Sequence, residues 1–451
     1  MSNRLFGTDG VRAPAGEFPL NALGVTAIGQ AIGERLGGRI LVGQDTRISS
    51  PWIFSLLAEG ISRTSSHVED AGVIPTPAIA LLTKTADFAG GIMISASHNR
   101  FEDNGIKIFS NDGRKLNDAD EIAIETRIHD IFGASCANTI DDIPAASINA
   151  KNRTQWPSRY EELLLSHFPV GQWLKDVHIV VDCANGAMSE VAPSLLGKLG
   201  ARLTVIHAEP TGININAGCG AVHLGSLMTA MKNQRADFGV AFDGDGDRSM
   251  FVSSSGRLMD GDAILLMMAR RLKHQGMLEP AMVVGTQMTN FALEKLLDAD
   301  SIELRRVGVG DRYIFEEMLR TGGILGGEPS GHLIFGDFRL SGDGLLTVLK
   351  VAEATVGEHA SFDQLTHDWQ PAPQLLKGVR VTRRIAIESM PALQAKMKEA
   401  LLELEGRGRL LIRYSGTEPL LRVMIESDDA GRNERLMEGL LETIRQSFPL
   451  G

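Results

Sequence analysis

Asp243-Gly244-Asp245-Gly246-Asp247-Arg248 places three carboxylates at alternate positions directly after the apolar run Phe238–Phe242. If that segment is extended, alternate side chains share one side and the carboxylates converge. Like charges that close raise one another's pKa unless a cation compensates. A hard divalent ion with oxygen ligands, Mg²⁺ before others, meets that need. A calcium-loop reading fails, because Arg248 stands where that loop needs Gly and Ser254 where it needs Glu. On this fragment alone, the DxD metal site of a sugar-nucleotide transferase and a solvated acidic turn stay open.

A second stretch, Gly90–Asn99, is an apolar run short enough for one buried strand that breaks into Ser95-Ala96-Ser97-His98-Asn99. Strand ends in open α/β sheets face the ligand crevice, which puts Ser97 at the mouth of a site. A turn is expected at Asp103-Asn104-Gly105, followed by Ile106–Phe109 with Lys107 between apolar neighbours. Such a lysine is either a snorkelling residue or a group with chemistry. Three carboxylates leave an octahedral Mg²⁺ short of ligands. A phosphorylated Ser97 would supply another oxygen, setting the ion on a phosphoryl group in transit. His98 is the one base spelled out beside Ser97, and no GxSxG elbow is present, which argues against an acyl-transfer triad. There is no Walker A loop and no complete GxGxxG, so Gly308-Val309-Gly310-Asp311 reads as a turn.

Three more polar segments complete the inventory. Glu328-Pro329-Ser330-Gly331-His332 offers donors and acceptors suited to the vicinal hydroxyls of a sugar. Arg413-Tyr414-Ser415-Gly416-Thr417 joins a guanidinium, hydroxyls and a glycine-freed backbone, a set matched to a phosphate monoester. Gly7-Thr8-Asp9-Gly10-Val11-Arg12 reads as a turn from which Arg12 projects.

The elements that must carry these loops form a repeating pattern. Strands are expected at Ile40–Val42, His67–Val73, Gly90–Ile94, Val177–Val181, Leu203–Ile206, Phe238–Phe242 and Met282–Val284, with helices between them. Ser49-Ser50-Pro51 reads as an N-cap and first turn. Three βαβ units about one hundred residues apart each deliver a polar loop at a strand end. Trp369–Pro373 reads as a linker to a smaller α+β segment. A chain of 451 residues is too long for one core, and three or four domains are expected. The net charge of −11 gives no global attraction to nucleic acid, so phosphate must be met locally. Three scattered cysteines without a CxxC pair argue for a reducing compartment and against disulfides or a Cys-based zinc site. With no apolar leader and no membrane-length stretch, a cytoplasmic protein without a membrane partner is expected.

Taken together, Ser95–Asn99, Asp243–Arg248, Gly327–His332 and Arg413–Pro419 resemble, in order and spacing, the α-D-phosphohexomutase family. Phe6–Arg12 and Gly416–Pro419 most resemble its bacterial branch acting on glucosamine phosphates. The resemblance implies three related mixed α/β domains (residues 1–152, 153–254 and 255–369) and a smaller C-terminal α+β domain (374–451) around a central cleft. It makes Ser97 a phosphoserine that holds one Mg²⁺ with Asp243, Asp245 and Asp247. Glu328, Ser330 and His332 would contact sugar hydroxyls, with Arg248 in support. Arg413, Ser415, Gly416 and Thr417 would grip the non-reacting phosphate. Lys107, Arg12 and His98 are the candidates for acid–base and charge-stabilising work, and Arg47 is a further supporting residue.

The implied reaction interconverts glucosamine 6-phosphate and glucosamine 1-phosphate, with a bisphosphorylated sugar as intermediate and activator. Turning that intermediate requires the distal clamp to release it, which predicts that the segment after Pro373 moves as a lid. The alternatives are the same chemistry on glucose or mannose phosphates, or a non-catalytic phosphosugar-binding protein. A homodimer, and a kinase or self-phosphorylation as the first source of the Ser97 phosphate, stay open. The sequence departs from the family pattern at Ala13, Arg100, Pro329 and Tyr414. Arg100 in place of a usual proline predicts a less rigid serine loop, and Pro329 lies in the sugar-reading loop.

Overall fold

The computed structural model describes residues 5–7, 9–135, 153, 155–336, 341–381, 383–414 and 420–448. Apolar runs bounded by glycine and polar loops become the central strands of three related sheets. The first segment runs β1 (Val11–Pro14), α1 (Ala22–Leu36), β2 (Arg39–Gln44), α2 (Ser50–Ser62), β3 (His67–Val73), α3 (Thr76–Thr85), β4 (Gly90–Ile94), β5 (Asp103–Ser110) and α4 (Asp118–Ser135). Its sheet order is β1-β5-β4-β2-β3, with β3, β2 and β4 parallel and β5 and β1 antiparallel. After α5 (Gln155–Leu165), the second segment runs β6 (His178–Asp182), α6 (Met188–Lys198), β7 (Arg202–Ile206), α7 (Gly225–Gln234), β8 (Phe238–Phe242), β9 (Ser249–Ser253) and β10 (Leu258–Met259). Its order, β10-β9-β8-β6-β7, repeats the same succession of directions. The third holds α8 (Gly261–His274), β11 (Met282–Thr286), α9 (Phe291–Ala299), β12 (Glu303–Val307), α10 (Asp311–Thr321), β13 (Leu325–Gly327), β14 (Leu333–Phe335), α11 (Gly344–Gly357) and α12 (Phe362–Leu365), with strand order β12-β11-β13-β14. The hundred-residue period read from element order is thus a repeat of topology.

Two compact units result: Met1–Met288 with Leu304–His367, and Thr289–Glu303 with Asp368–Gly451. In the larger unit, strand alternation sorts residues between two faces. Ile92, Ile94, Ile106 and Ile108 pack with Val25, Ile28, Leu57 and Ile128 of α1, α2 and α4. Burying each such side chain contributes about 1.5–3 kcal/mol. The intervening positions face α3, where a Cβ on Gly91 would stand 2.2 Å from the Thr83 hydroxyl oxygen. Lys107 belongs to this second set of positions, so the pleat that buries Ile106 and Ile108 turns Lys107 the other way.

The smaller unit contains α9 together with β15 (Gln374–Arg380), α13 (Pro391–Leu404), β16 (Gly408–Tyr414), β17 (Leu420–Ser427) and α14 (Ala430–Ser447). Its antiparallel sheet, β15-β17-β16, packs Val423 and Ile425 against Leu393, Met437, Leu440 and Ile444. Buried Glu426 gathers this unit: it accepts from Arg409 Nε at 2.5 Å and from the Phe291 backbone N–H at 3.2 Å.

Two local expectations change. Asp103-Asn104-Gly105 is strand rather than turn, because β1 pairs with it in the register Pro14–Asp103, Ala13–Asn104 and Arg12–Gly105. The same pairing makes Val11 and Arg12 part of the strand Val11–Pro14 where a turn was expected. Long-range pairing has overridden local turn chemistry. Ser49 is the N-cap of α2 but its side chain makes no capping bond. Its hydroxyl instead accepts from Asn104 Nδ2 at 2.8 Å, and the Ser50 hydroxyl donates to Asp45 at 3.0 Å.

Within the larger unit, the buried Tyr160 hydroxyl of α5 lies 2.9 and 2.8 Å from the carboxylate oxygens of Asp343, the N-cap of α11. Burial raises the Asp343 carboxyl from 3.8 to about 6, against the lowering effect of the Leu346 N–H and of Tyr160. A carboxyl whose folded-state pKa is raised stabilises the fold below its ordinary value, and that contribution fades as pH climbs through about 6. The whole effect is up to about 3 kcal/mol. Asp343→Asn keeps an acceptor for the cap and removes the titration. Its melting midpoint, measured against the parent, is expected to rise between pH 4 and pH 7; a pH-independent difference would contradict this account.

Candidate active site

Ser97 follows β4 in the left-handed backbone region, at φ +53°, a strained position for a residue with a Cβ. The loop is held there by a buried network. Asp45 accepts from the Ser95 hydroxyl at 2.7 Å, and Ser95 Oγ accepts from the Ser97 backbone N–H at 2.9 Å. Arg47, itself fully buried and paired with Asp45 at 2.8 Å, donates to the carbonyls of Ser97 (2.8 Å), Asn99 (2.9 Å), Asp103 (3.1 Å) and Arg100. Asn216 adds donors to the Ser97 and Asn99 carbonyls. Arg47 is therefore a strap for the serine loop. Despite the missing proline at Arg100, four loop carbonyls are tied by one guanidinium.

The three aspartates sit in a tight turn between β8 and β9, not on an extended segment, and the turn makes them converge. Gly246 supplies φ +71°, and a Cβ on Gly244 would stand 2.6 Å from the Ser97 carbonyl oxygen. The Ser97 hydroxyl donates to Asp243 Oδ2 at 2.5 Å. Lys107 Nζ reaches Asp245 at 2.8 Å, Asp247 at 3.0 Å and Asp9 at 3.2 Å, and the Thr76 hydroxyl also donates to Asp245. Lys115 bridges Asp9 at 2.5 Å and Asp311 at 2.6 Å. His332 lies 3.5 Å from Asp311 and 3.7 Å from Asp247, which closes the ring with an imidazole.

The electrostatics follow from this ring. Burial works against the Lys107 charge, but Asp245, Asp247 and Asp9 hold its pKa well above the ordinary value. Burial would likewise raise Asp247, yet Lys107, His332 and Arg248 bring it well below the usual carboxylate range. Asp243 is raised well above that range by burial and by its neighbours Asp247 and Asp245. Burial, then Arg248 and Arg12, lowers His98 to about 4, so it is a neutral imidazole at pH 7. Its Nδ1 lies 3.2 Å from Arg248 Nη1 and 3.3 Å from Ser97 Oγ. Because Arg248 can only donate, Nδ1 is an acceptor.

Four buried polar atoms here have no hydrogen-bond partner: Asp245 Oδ1, Asp247 Oδ1, Arg12 Nε and Arg248 Nε. Oxygens of the three aspartates lie within 4.8 Å of one another, a donor set suited to a hard divalent cation. Asp245 Oδ1 and Arg12 Nε, with the loose 3.8 Å pair of Asp247 Oδ1 and Arg248 Nε, suit a cation and an anion taken together.

Glu328 and Ser330 occupy the turn between β13 and β14, where Ser330 Oγ lies 3.3 Å from Glu328 Oε2 and the Gly310 N–H donates to Glu328 Oε1 at 3.1 Å. His332 is buried against the aspartate turn, and its Nε2 accepts from the Gly342 N–H at 2.9 Å. The larger unit therefore gathers Ser97, His98, Lys107, Arg12, the three aspartates, Arg248 and His332, with the Glu328–Ser330 turn adjoining through Gly331 and Ser249. Arg413 lies at the end of β16 in the smaller unit; Ser415, Gly416 and Thr417 lie outside the described residues. Sequence reasoning missed Asp9, Lys115, Asp311, Asp45 and Thr76. Asp311, flanked by the glycines set aside as a turn, was the one with a visible signal.

Four consecutive stretches match the domains of phosphoglucomutase/phosphomannomutase: α/β/α domain I at 3–133, domain II at 159–256, domain III at 260–372 and the C-terminal domain at 376–443. A phosphoglucosamine mutase of Solibacter usitatus is 41% identical over 99% of this chain and 100% of its own. That of Idiomarina loihiensis is 42% identical over 98% of each. A phosphoglucomutase/phosphomannomutase family protein from Burkholderia thailandensis shares the fold with a TM-score of 0.80 at 22% identity, over 100% of this chain and 98% of its own. So does an Aspergillus fumigatus N-acetylphosphoglucosamine mutase solved with GlcNAc-6P and magnesium, with a TM-score of 0.65 at 17% identity over 98% and 96%.

Removing a buried partner charge typically costs about 3–5 kcal/mol. Lys107→Met is expected to lose that much in chemical denaturation, and millimolar Mg²⁺ is expected to restore part of it by supplying the missing charge. A variant as stable as the parent, or one indifferent to Mg²⁺, would contradict the compensation argued here.

Proposed function

The chain belongs to the phosphoglucomutase/phosphomannomutase family, and from that membership we propose that it interconverts glucosamine 6-phosphate and glucosamine 1-phosphate, an intramolecular phosphotransfer catalysed by an isomerase. Full-length identity of 41–42% to phosphoglucosamine mutases supports the amino sugar. The observation that carries the chemistry is the buried gathering of carboxylate oxygens and guanidinium nitrogens that lack hydrogen bonds around a strained serine.

Ser97 carries the phosphoryl group. It passes to the free hydroxyl of the sugar phosphate, the resulting bisphosphorylated sugar turns, and the other phosphoryl returns to Ser97 Oγ. Asp243, Asp245 and Asp247, with an oxygen of the Ser97 phosphate, would hold Mg²⁺, which when bound neutralises phosphoryl charge. Arg12 and Arg248 offer their Nε–H groups to phosphoryl oxygens, and Lys107, held as an ammonium, aligns Asp245 and Asp247. When Ser97 is free, its hydroxyl proton rests against Asp243. Neutral His98 orients Arg248 through Nδ1. Glu328, Ser330 and His332 read the sugar, and Arg413, Ser415, Gly416 and Thr417 hold the distal phosphate. A bisphosphorylated sugar primes the serine. No helix among the described residues is long and apolar enough to cross a membrane. We place the enzyme in the cytoplasm, supplying amino-sugar nucleotide and cell-wall precursors.

The test is turnover of glucosamine, glucose and mannose 6-phosphates by the purified protein. The glucosamine compound is expected to lead in kcat/KM by about tenfold or more, and Ser97→Ala to lower it on the order of 10³-fold or more. Undiminished turnover by Ser97→Ala would refute the mechanism. A lead for glucose or mannose phosphate would transfer the same mechanism to that sugar.

A further inference from the structure

We propose that Asp182, His207 and Cys219 form a second metal site, of zinc class, at the carboxyl ends of β6 and β7. The two strands are parallel and pair Asp182 with Ile206, so His207, the next residue, emerges beside Asp182. His207 Nδ1 lies 3.1 Å from Asp182 Oδ1. Cys219 is brought to the pair by the loop that follows, because the Gly220 N–H donates to Asp182 Oδ2 at 3.1 Å. One donor atom from each of the three residues lies within 4.8 Å of the other two.

Those separations are close to what an ion would impose. Tetrahedral zinc with its usual bond lengths keeps nitrogen and oxygen ligands roughly 3.3 Å apart and sulfur roughly 3.6 Å from either. Asp182 and His207 lie close to the first spacing at 3.1 Å, and the Cys219 sulfur lies within 4.8 Å of both. The mixed nitrogen, oxygen and sulfur set favours zinc-class ions over Mg²⁺. His207 Nδ1 is shielded yet makes no well-formed hydrogen bond.

Supporting groups surround the donors. The Ala184 N–H donates to Asp182 Oδ1 at 2.9 Å, and Asn185 Nδ2 lies 3.9 Å from the Cys219 sulfur. Such contacts orient ligands, and the Asn185 donor works against the burial and the Asp182 charge that hold the Cys219 proton until an ion displaces it. Asp182 and Cys219 are fully buried, whereas the His207 side chain is 31% exposed, which leaves an entry path and room for a water as fourth ligand. Binding releases the Cys219 thiol proton to solvent. The site shares no residue with the aspartate turn. It does bear on the serine loop, because Asn216, three residues before Cys219, donates to the Ser97 and Asn99 carbonyls.

The test titrates Co²⁺ into the full-length protein with Mg²⁺ in large excess to hold the carboxylate triad, and follows thiolate-to-cobalt charge transfer in the near ultraviolet. One equivalent of Co²⁺ is expected to develop the band, Cys219→Ser to abolish it, and His207→Ala to weaken Co²⁺ binding about tenfold or more. No band in the parent protein, or an undiminished band in Cys219→Ser, would overturn the proposal. If Cys219→Ser does not fold, His207→Ala decides alone, and unchanged Co²⁺ affinity there overturns it.

Discussion

Three carboxylates can share one buried turn only if positive charge is buried with them. Lys107 meets that constraint by reaching Asp245 and Asp247 from a neighbouring sheet within the same unit. The lysine is itself too costly to bury alone, and Asp9 and Lys115 extend the compensation outward to Asp311 and His332. Alternation along β5 decides the rest. With Ile106 and Ile108 committed to the core of α1, α2 and α4, Lys107 has to face the aspartates. Lys107 makes no ion pair with Asp243; burial, and then the Asp247 and Asp245 charges, raise that carboxyl well above the usual range.

The second constraint is the backbone of Ser97. A left-handed serine persists only where its surroundings over-determine it. Arg47 and Asp45 do this from beneath the loop, and Asn216 from the neighbouring segment. The serine is therefore placed before any ligand arrives, its hydroxyl on Asp243. Positioning of this kind, together with buried charge, is where phosphoryl-transfer sites gain most of their rate.

How much of this the sequence discloses depends on how local each feature is. Ser97 and Asp243–Asp247 lie in contiguous motifs at the ends of apolar runs, and both were legible. So was Lys107, because an isolated charge between buried neighbours is conspicuous. The topological repeat was legible from element order. Asp103–Gly105 was misread because its strand character comes from pairing with β1, ninety residues away. Arg47 was read only as a supporting residue; the fold shows how it supports, with its guanidinium turned onto loop carbonyls. Asp9, Lys115 and Asp311 converge from three distant segments, and no spacing in the chain announces that. The aspartates were expected to converge along an extended segment, whereas the glycines between them fold it into a turn.

The central claim is that Ser97 carries the phosphoryl group. Its most direct test is the intact mass of the purified protein before and after incubation with glucosamine 1,6-bisphosphate, followed by mapping of the modified peptide. The account predicts a gain of one phosphoryl group, located on the peptide that contains Ser97. A protein that interconverts the sugar phosphates while never carrying that group, or that carries it on another residue, would contradict it.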